Sequence, residues 1–244
     1  MMRLIALKEL RGLLAAPSSW LILAVLQFVF AWFFLSRLDA FLQVQAQLAQ
    51  LPSAIGATQA VVAPMFNVLA LLLLVLTPLL TMRLLAEERR NHTFPLLLSA
   101  PVSAASIVLG KFCGLMAFLA LVMLICVATL MTLAAGTHLD MGMLLGNVIG
   151  IFMLVASYAA LGLYVSSLVA QPMAAALGAL AALFGLWLAS VSMAESRLQI
   201  IAPNSHFSNF NAGLLDSADA VYLLLFCGVF LALTIWRVGG GRQS

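Results

Sequence analysis

The sequence predicts an all-α membrane protein: six transmembrane helices, an N-terminal amphipathic helix at the interface, and a short cytoplasmic helix between the second and third spans. Three observations carry this prediction. Of 244 residues, 65% are hydrophobic and 8% charged, against about 45–50% and about 25% in soluble domains. Six apolar stretches, at about 18–36, 62–82, 109–134, 142–168, 173–193 and 220–237, each approach the roughly 20 residues that cross a bilayer. The lysines and arginines are also unevenly shared between the two sides these stretches define. With 11 basic and 8 acidic side chains, the chain cannot cover a water-exposed surface, so the soluble, disordered and secreted disulfide classes are excluded. Six spans take roughly 120–150 positions and leave about 100, too few for a nucleotide-hydrolysing domain. A single membrane domain over 1–244 is expected.

Residues 1–17 form the interfacial segment. Ala6, Leu7, Leu10, Leu13 and Leu14 share one helical face, and Lys8, Glu9, Arg11 and Gly12 another. Such a helix lies in the headgroup plane with its polar face outward. Lys8, Glu9 and Arg11 are its candidate functional positions, either as a membrane anchor or as a grip on a partner. The start does not read as a cleavable signal, since the apolar stretch begins only near Trp20 and no A-x-A site follows.

Residues 18–82 hold the first two spans and the Gln/Ala/Leu-rich outer loop 39–61, which predicts a short surface helix. Pro78, near the inner end of the second span, removes one helix hydrogen bond and marks a bend or a flexible point. The loop 83–111, RLLAEERRNHTFPLLLSAPVSAASIVLGK, is the informative one. Glu87, Glu88, Arg89 and Arg90 form a charge cluster directly below the second span. Thr93 can cap a short helix with Pro95 in its first turn, Leu96, Leu97 and Leu98 give it an apolar side, and Pro101 stops it. A solvated loop does not need these leucines; an amphipathic helix here suits a groove on another protein or the lipid headgroups. A second helix then rises through Ile107 to Gly110 and Lys111.

Residues 112–193 carry spans three to five. Cys113/Met116 and Met123/Cys126 are spaced to share a face and suit copper(I) by ligand softness, though Met and Cys in apolar runs ordinarily pack as hydrophobes. Gly142, Gly146 and Gly150 line one face of the fourth span and predict a close helix–helix approach, within the chain or to a partner. Gln171-Pro172 ends that span and starts the fifth. The outer segment 194–219 has Pro203 and Gly213 as breakers, and 220–244 is the last span with its tail.

Orientation follows from the basic residues. Nine of the eleven, Arg3, Lys8, Arg11, Arg83, Arg89, Arg90, Lys111, Arg237 and Arg242, fall on one side with both termini, and only Arg37 and Arg197 on the other. Both termini and the 83–111 loop are therefore expected in the cytoplasm. The sequon Asn91-His92-Thr93 lies there too, out of reach of glycosylation. No basic, aromatic-interleaved patch points to nucleic acid.

The chain is expected not to be an enzyme. It has no G-x-S-x-G, no H-E-x-x-H, no Asp in a span core and no G-x-x-x-x-G-K-[ST], so the residues for proteolysis or ATP hydrolysis are missing. No Asp, Glu, Lys or Arg sits at the centre of a span, which argues against a transporter driven by protons or sodium through buried carboxylates. A backbone-carbonyl ion site stays open; otherwise, if the chain transports, energy is expected to enter from outside the membrane domain.

At these residues the chain resembles the permease subunits of type-2 ATP-binding-cassette (ABC) exporters, most closely the gliding-motility and nitrous-oxide-reductase-maturation branch. The resemblance lies in Ala86-Glu-Glu-Arg-Arg…Thr93…Pro101-Val-Ser…Ile107-Val-Leu-Gly-Lys111, in Tyr158-Ala-Ala-Leu-Gly-Leu with Ser166, Ser167 and Pro172, and in His206-Phe207…Phe210…Gly213…Asp216…Asp219…Tyr222. It departs from the family pattern at His92, Pro95 and Ala212. The resemblance implies a bacterial inner-membrane exporter whose 83–111 loop is a coupling helix held by a separate ATPase through Glu87, Glu88, Arg89, Arg90, Thr93, Leu97 and Pro101. It implies two ATPase copies that bind ATP and Mg, a second permease copy, identical or related, and membrane lipids as partners, with no cofactor in this chain. It also implies an outer re-entrant turn built on His206, Phe207, Phe210, Gly213, Asp216, Asp219 and Tyr222. An amphipathic or hydrophobic substrate is expected, from the lack of buried charge together with the family. The alternative is mechanotransmission, in which ATPase motion passes to an outer-side partner and nothing crosses.

Overall fold

The computed structural model describes residues 2–48, 58–86, 90, 103–137, 139–192, 201–214 and 216–240. Its helices are α1 Met2–Ala15, α2 Pro17–Leu48, α3 Ala63–Leu84 preceded by a π-helical turn Thr58–Val62, α4 Ala104–Met131 followed by a 3-10 turn Thr132–Ala135, α5 Met141–Leu168, α6 Pro172–Ser192, α7 Pro203–Asn211 and α8 Ser217–Gly240. Among the described residues there is no strand. Among the described residues, six helices are long and apolar enough to cross a membrane: 17–43, 58–84, 104–134, 141–168, 172–191 and 217–240.

Local chemistry sets several of these boundaries. Ser103 caps α4, its hydroxyl accepting from Ser106 N at 3.2 Å. Asp140 caps α5, its carboxylate accepting from Gly142 N at 2.9 Å and Met143 N at 3.1 Å. Each such cap is worth about 1 kcal/mol. The Asp140 N–H donates to Thr58 Oγ1 at 3.0 Å, which pins the starts of the second and fourth spans together. Pro172 opens α6, where its missing donor costs nothing.

The spans divide into an inner and an outer set. α3, α4 and α5 are buried over half their length or more, whereas α2, α6 and α8 are buried over about a fifth. Residues such as Phe28, Trp32, Leu224 and Trp236 therefore point outward, as an apolar solvent permits. α5 packs on both α3 and α8. Where α3 and α5 cross, a Cβ at Gly162 would fall 2.5 Å from Thr81 Oγ1, so no larger residue fits. The outlying α2 is held by polar atoms: Gln27 Nε2 donates to Thr129 Oγ1 at 2.8 Å, and the Cys126 thiol to Gln27 Oε1 at 3.5 Å. Cys126, read in sequence as half of a Met/Cys pair, thus serves as a helix–helix contact.

α3 passes through Pro78 without ending. The proline leaves the Leu74 carbonyl without its usual donor, and the flanking Thr77 and Thr81 hydroxyls turn back onto the carbonyls of Leu73 and Pro78 at 2.6 and 3.2 Å. The first span differs from its expected end at 36: α2 runs on to Leu48. Hydropathy marks where the apolar part stops, whereas the helix continues through the more polar residues that follow, supported by Gln43 donating to Asp39 one turn earlier at 3.0 Å. Part of the expected surface helix in 39–61 is therefore a continuation of the first span, and 49–57 lies outside the described residues.

Candidate functional site

Two regions concentrate the sequence-predicted positions: the end of the bundle that carries α1 and the start of the 83–111 loop, expected to be cytoplasmic, and the opposite end, which carries α7. At the base α1 lies against α4 over Gly110 and Gly114, one turn apart. A Cβ at Gly110 would meet Ile5 Cβ at 2.8 Å, and one at Gly114 would meet Ala6 O and Glu9 Cβ, each at 2.8 Å. α1 thus follows α4 for a turn, Ile5 over Gly110 and Glu9 over Gly114, and does not rest on headgroups alone. Between the glycines Lys111, 2% exposed, places its Nζ 2.7 Å from Glu9 Oε1.

This arrangement corrects the helix face expected from sequence. Ala6, Leu10, Leu13 and Leu14 lie on the packed side as expected, joined by Ile5 and Glu9, while Leu7 is half exposed. Glu9 turns inward because a buried ammonium requires an opposite charge, and glycine lets the two backbones meet there. Lys8 and Arg11 stay exposed. Lys111, read as the end of the loop, belongs to the body of α4.

The start of the 83–111 loop is anchored from several sides. Leu84, Leu85 and Ala86 are buried. Ala86 N donates to Ser166 Oγ at 3.1 Å, and that hydroxyl lies 3.5 Å from the Met82 carbonyl, so the inner end of α5 caps the end of α3. Arg83 donates to Ser18 Oγ at 2.9 Å, and Trp20 Nε1 to the Leu14 carbonyl at 2.6 Å, which ties in the α1–α2 corner. Arg90 is exposed. Glu87, Glu88, Arg89, Thr93, Leu97 and Pro101 lie outside the described residues.

On the opposite side α7 folds back onto the bundle, with Phe207 and Phe210 buried beneath it. A Cβ at Gly150 would come within 2.7 Å of Phe210 Cβ. The neighbour of the Gly142/Gly146/Gly150 stripe at Gly150 is therefore α7 of the same chain; Gly146 is buried, and Gly142 sits in the Asp140 cap. Gly213 reverses the chain at φ +84°, a conformation glycine adopts without penalty. Asp216 Oδ1 accepts from Ala218 N at 2.9 Å at the start of α8.

Three predicted residues then converge. His206 Nδ1 is 2.6 Å from Asp219 Oδ1, and the His206 ring stacks on Tyr222 with centroids 3.9 Å apart. Tyr222 OH donates to the Ile201 carbonyl at 2.6 Å.

Sequence reasoning missed Asn209 and Asn211. Asn209 donates to Asp219 Oδ2 at 2.8 Å, and Asn211 to the Ala63 carbonyl at the head of α3 at 2.9 Å. Their signal was modest: two polar residues on the face of a short helix that also presents Phe207 and Phe210. Among the described residues, both amide atoms of Asn147, the Tyr158 hydroxyl and Asn211 Oδ1 are buried without a hydrogen-bond partner, and no three His, Cys, Asp or Glu side chains group as a metal site.

Six apolar helices, of which α3, α4 and α5 are the most buried, with α1 strapped to one end of the bundle, define a multi-pass membrane protein. The chain belongs to the ABC-2 family of transporters: the family model described as ABC-2 family transporter protein matches residues 3–238, from α1 into α8. It is therefore a membrane permease subunit of an ABC transporter, a class that works with an ABC ATPase. No curated protein matches the chain.

Proposed function

We propose that this chain is the permease of a bacterial inner-membrane ABC exporter, paired with a second permease copy and two separate ATPases that bind ATP and Mg. Both termini lie in the cytoplasm, and the chain hydrolyses nothing itself. The 83–111 segment is the coupling element, and Glu87, Glu88, Arg89, Arg90, Thr93, Leu97 and Pro101 are its contacts. The motifs at Ala86–Lys111 and His206–Tyr222 favour the gliding-motility and nitrous-oxide-reductase-maturation branch. The observation that carries the reading is the family match over 3–238. The anchoring of Ala86 on Ser166 supports it, because a pull on the loop would act on the central α3 and α5 and not on a loose tether.

Closure of the ATPases would draw two such loops together and shift the spans around a path between the permease copies. Substrate binding drives the change only through differential affinity for the two states. An amphipathic or hydrophobic substrate fits spans whose centres carry no charge. The mechanotransmission alternative draws support from the outer turn: α7 is hydrogen-bonded to the heads of α3 and α8, so span motion would reach an outer-side partner.

Affinity copurification with the wild-type chain and with charge reversal at Glu87, Glu88, Arg89 and Arg90 tests the coupling role. We expect an ATPase that the wild type recovers and the reversal loses, with the permease still in the membrane. Failure of the wild type to recover an ATPase would sink the exporter reading. ATPase stimulation by amphipathic compounds then separates transport from mechanotransmission.

A further inference from the structure

We infer that the groove between α1 and α4 is a binding site for one anionic phospholipid of the cytoplasmic leaflet. The groove has a volume of about 310 Å³; α1 supplies Arg3, Ala6, Leu7 and Leu10 to it, and α4 supplies Cys113, Gly114 and Ala117. Its walls are apolar apart from one guanidinium. The register orients it: Ile5 lies over Gly110 and Glu9 over Gly114, so α1 climbs with α4 from the base toward the bilayer centre. Arg3 therefore stands at the shallow end, and Leu10 with Ala117 at the deep end.

That polarity matches a lipid with its acyl chain laid inward and its phosphate at Arg3. Among the described residues Arg3 has no carboxylate or carbonyl partner, and a guanidinium binds a phosphate through paired N–H donors. Exposed Lys8 and Arg11 on the same helix add attraction to an anionic surface. The lone carboxylate of α1, Glu9, is already committed to Lys111 and does not repel the headgroup. The groove between α2 and α3 has a similar volume but only aliphatic walls, and nothing there selects a headgroup.

The site rests on the orientation proposed above, which places α1 at the cytoplasmic leaflet. The test is native mass spectrometry of the full chain with its ATPase, purified from mixed phosphatidylglycerol and phosphatidylcholine. The wild type should retain phosphatidylglycerol preferentially. Arg3→Gln should weaken retention about fivefold, the loss of one basic contact to an anionic lipid, and Arg3→Lys should keep most of it. Ala117→Phe, at an exposed position, should fill the deep end and release the lipid with Arg3 intact. Equal retention of both lipids by the wild type, or no change in Arg3→Gln, overturns the site. Loss in Arg3→Gln with full retention in Ala117→Phe overturns the groove in favour of diffuse attraction. Both leaflets of the mixed membrane hold both lipids, so retention does not depend on orientation. Labelling of Leu4→Cys by a membrane-impermeant maleimide in inverted vesicles, but not in right-side-out vesicles, checks the orientation separately.

Discussion

Lys111 Nζ and Glu9 Oε1 lie 2.7 Å apart although 102 residues separate them, and their pairing straps the N-terminal helix to the third span. Lys111 is all but sealed from solvent while Glu9 keeps some exposure, so the two partners are not equivalent. Removing the acid takes one partner from a buried cation; removing both charges leaves no cation to compensate. Glu9→Ala should therefore destabilise the chain by about 2–3 kcal/mol. Glu9→Leu combined with Lys111→Met should recover part of that loss, because Lys111 has a further contact of its own that the methionine gives up. Thermal unfolding in detergent reads both. A double variant no better than Glu9→Ala would show that α1 is held by its glycine contacts and not by the pair.

A second close approach lies at the opposite end of the bundle, between Gly150 and Phe210. Gly150→Ala places a methyl within 2.7 Å of Phe210 Cβ and 2.8 Å of its Cγ. Overpacking of this kind costs roughly 1–3 kcal/mol. Phe210→Ala should rescue it only in part, because the nearest atom is the Cβ that alanine keeps. Full rescue, measured as the melting temperature of the double variant, would mean that α7 shifts freely and is not fixed on α5.

The spans were legible in the sequence because a bilayer demands unbroken apolar runs, and the chain has six. The contacts that bring the candidate site together were less so. Glu9 and Lys111 entered the sequence reading as surface and topology charges; their pairing depends on a helix register that no local pattern records. The local traces of the contact are that Glu9 falls on one helical face with Ile5, Leu10 and Leu13, and that Lys111 lies between Gly110 and Gly114. Similarly, His206, Asp219 and Tyr222 stood out singly, but Asn209 sharing the Asp219 carboxylate appears only once α7 folds back. Polar contacts across helices need one partner each, so they leave no periodic trace.

Asp219 is the node of that outer cluster, accepting from His206 on one oxygen and Asn209 on the other. Asp219→Ala removes both acceptors and should loosen α7 by about 2–3 kcal/mol; Asp219→Asn, which keeps one acceptor oxygen, should cost about half as much. The effect should be local. Amide exchange over 203–211 should accelerate while exchange in α3 and α5 stays unchanged. Uniform acceleration across all the spans would reject a tethering role.

Asn147 gives the least intuitive outcome. It is fully buried in α5, and neither its amide nitrogen nor its amide oxygen has a hydrogen-bond partner among the described residues. An amide left unsatisfied in apolar surroundings costs about 1–3 kcal/mol, whereas an apolar side chain of similar size there costs nothing comparable. Asn147→Leu should therefore stabilise the chain and raise its melting temperature by several degrees, at roughly 2–4 °C per kcal/mol for a chain of this length. ATP hydrolysis by the assembled complex supplies the second measurement. If Asn147 gains a partner in another state of the cycle, the variant will be more stable yet slower to turn over, because leucine cannot make that bond. A variant that loses stability would show that the amide is satisfied in this state after all.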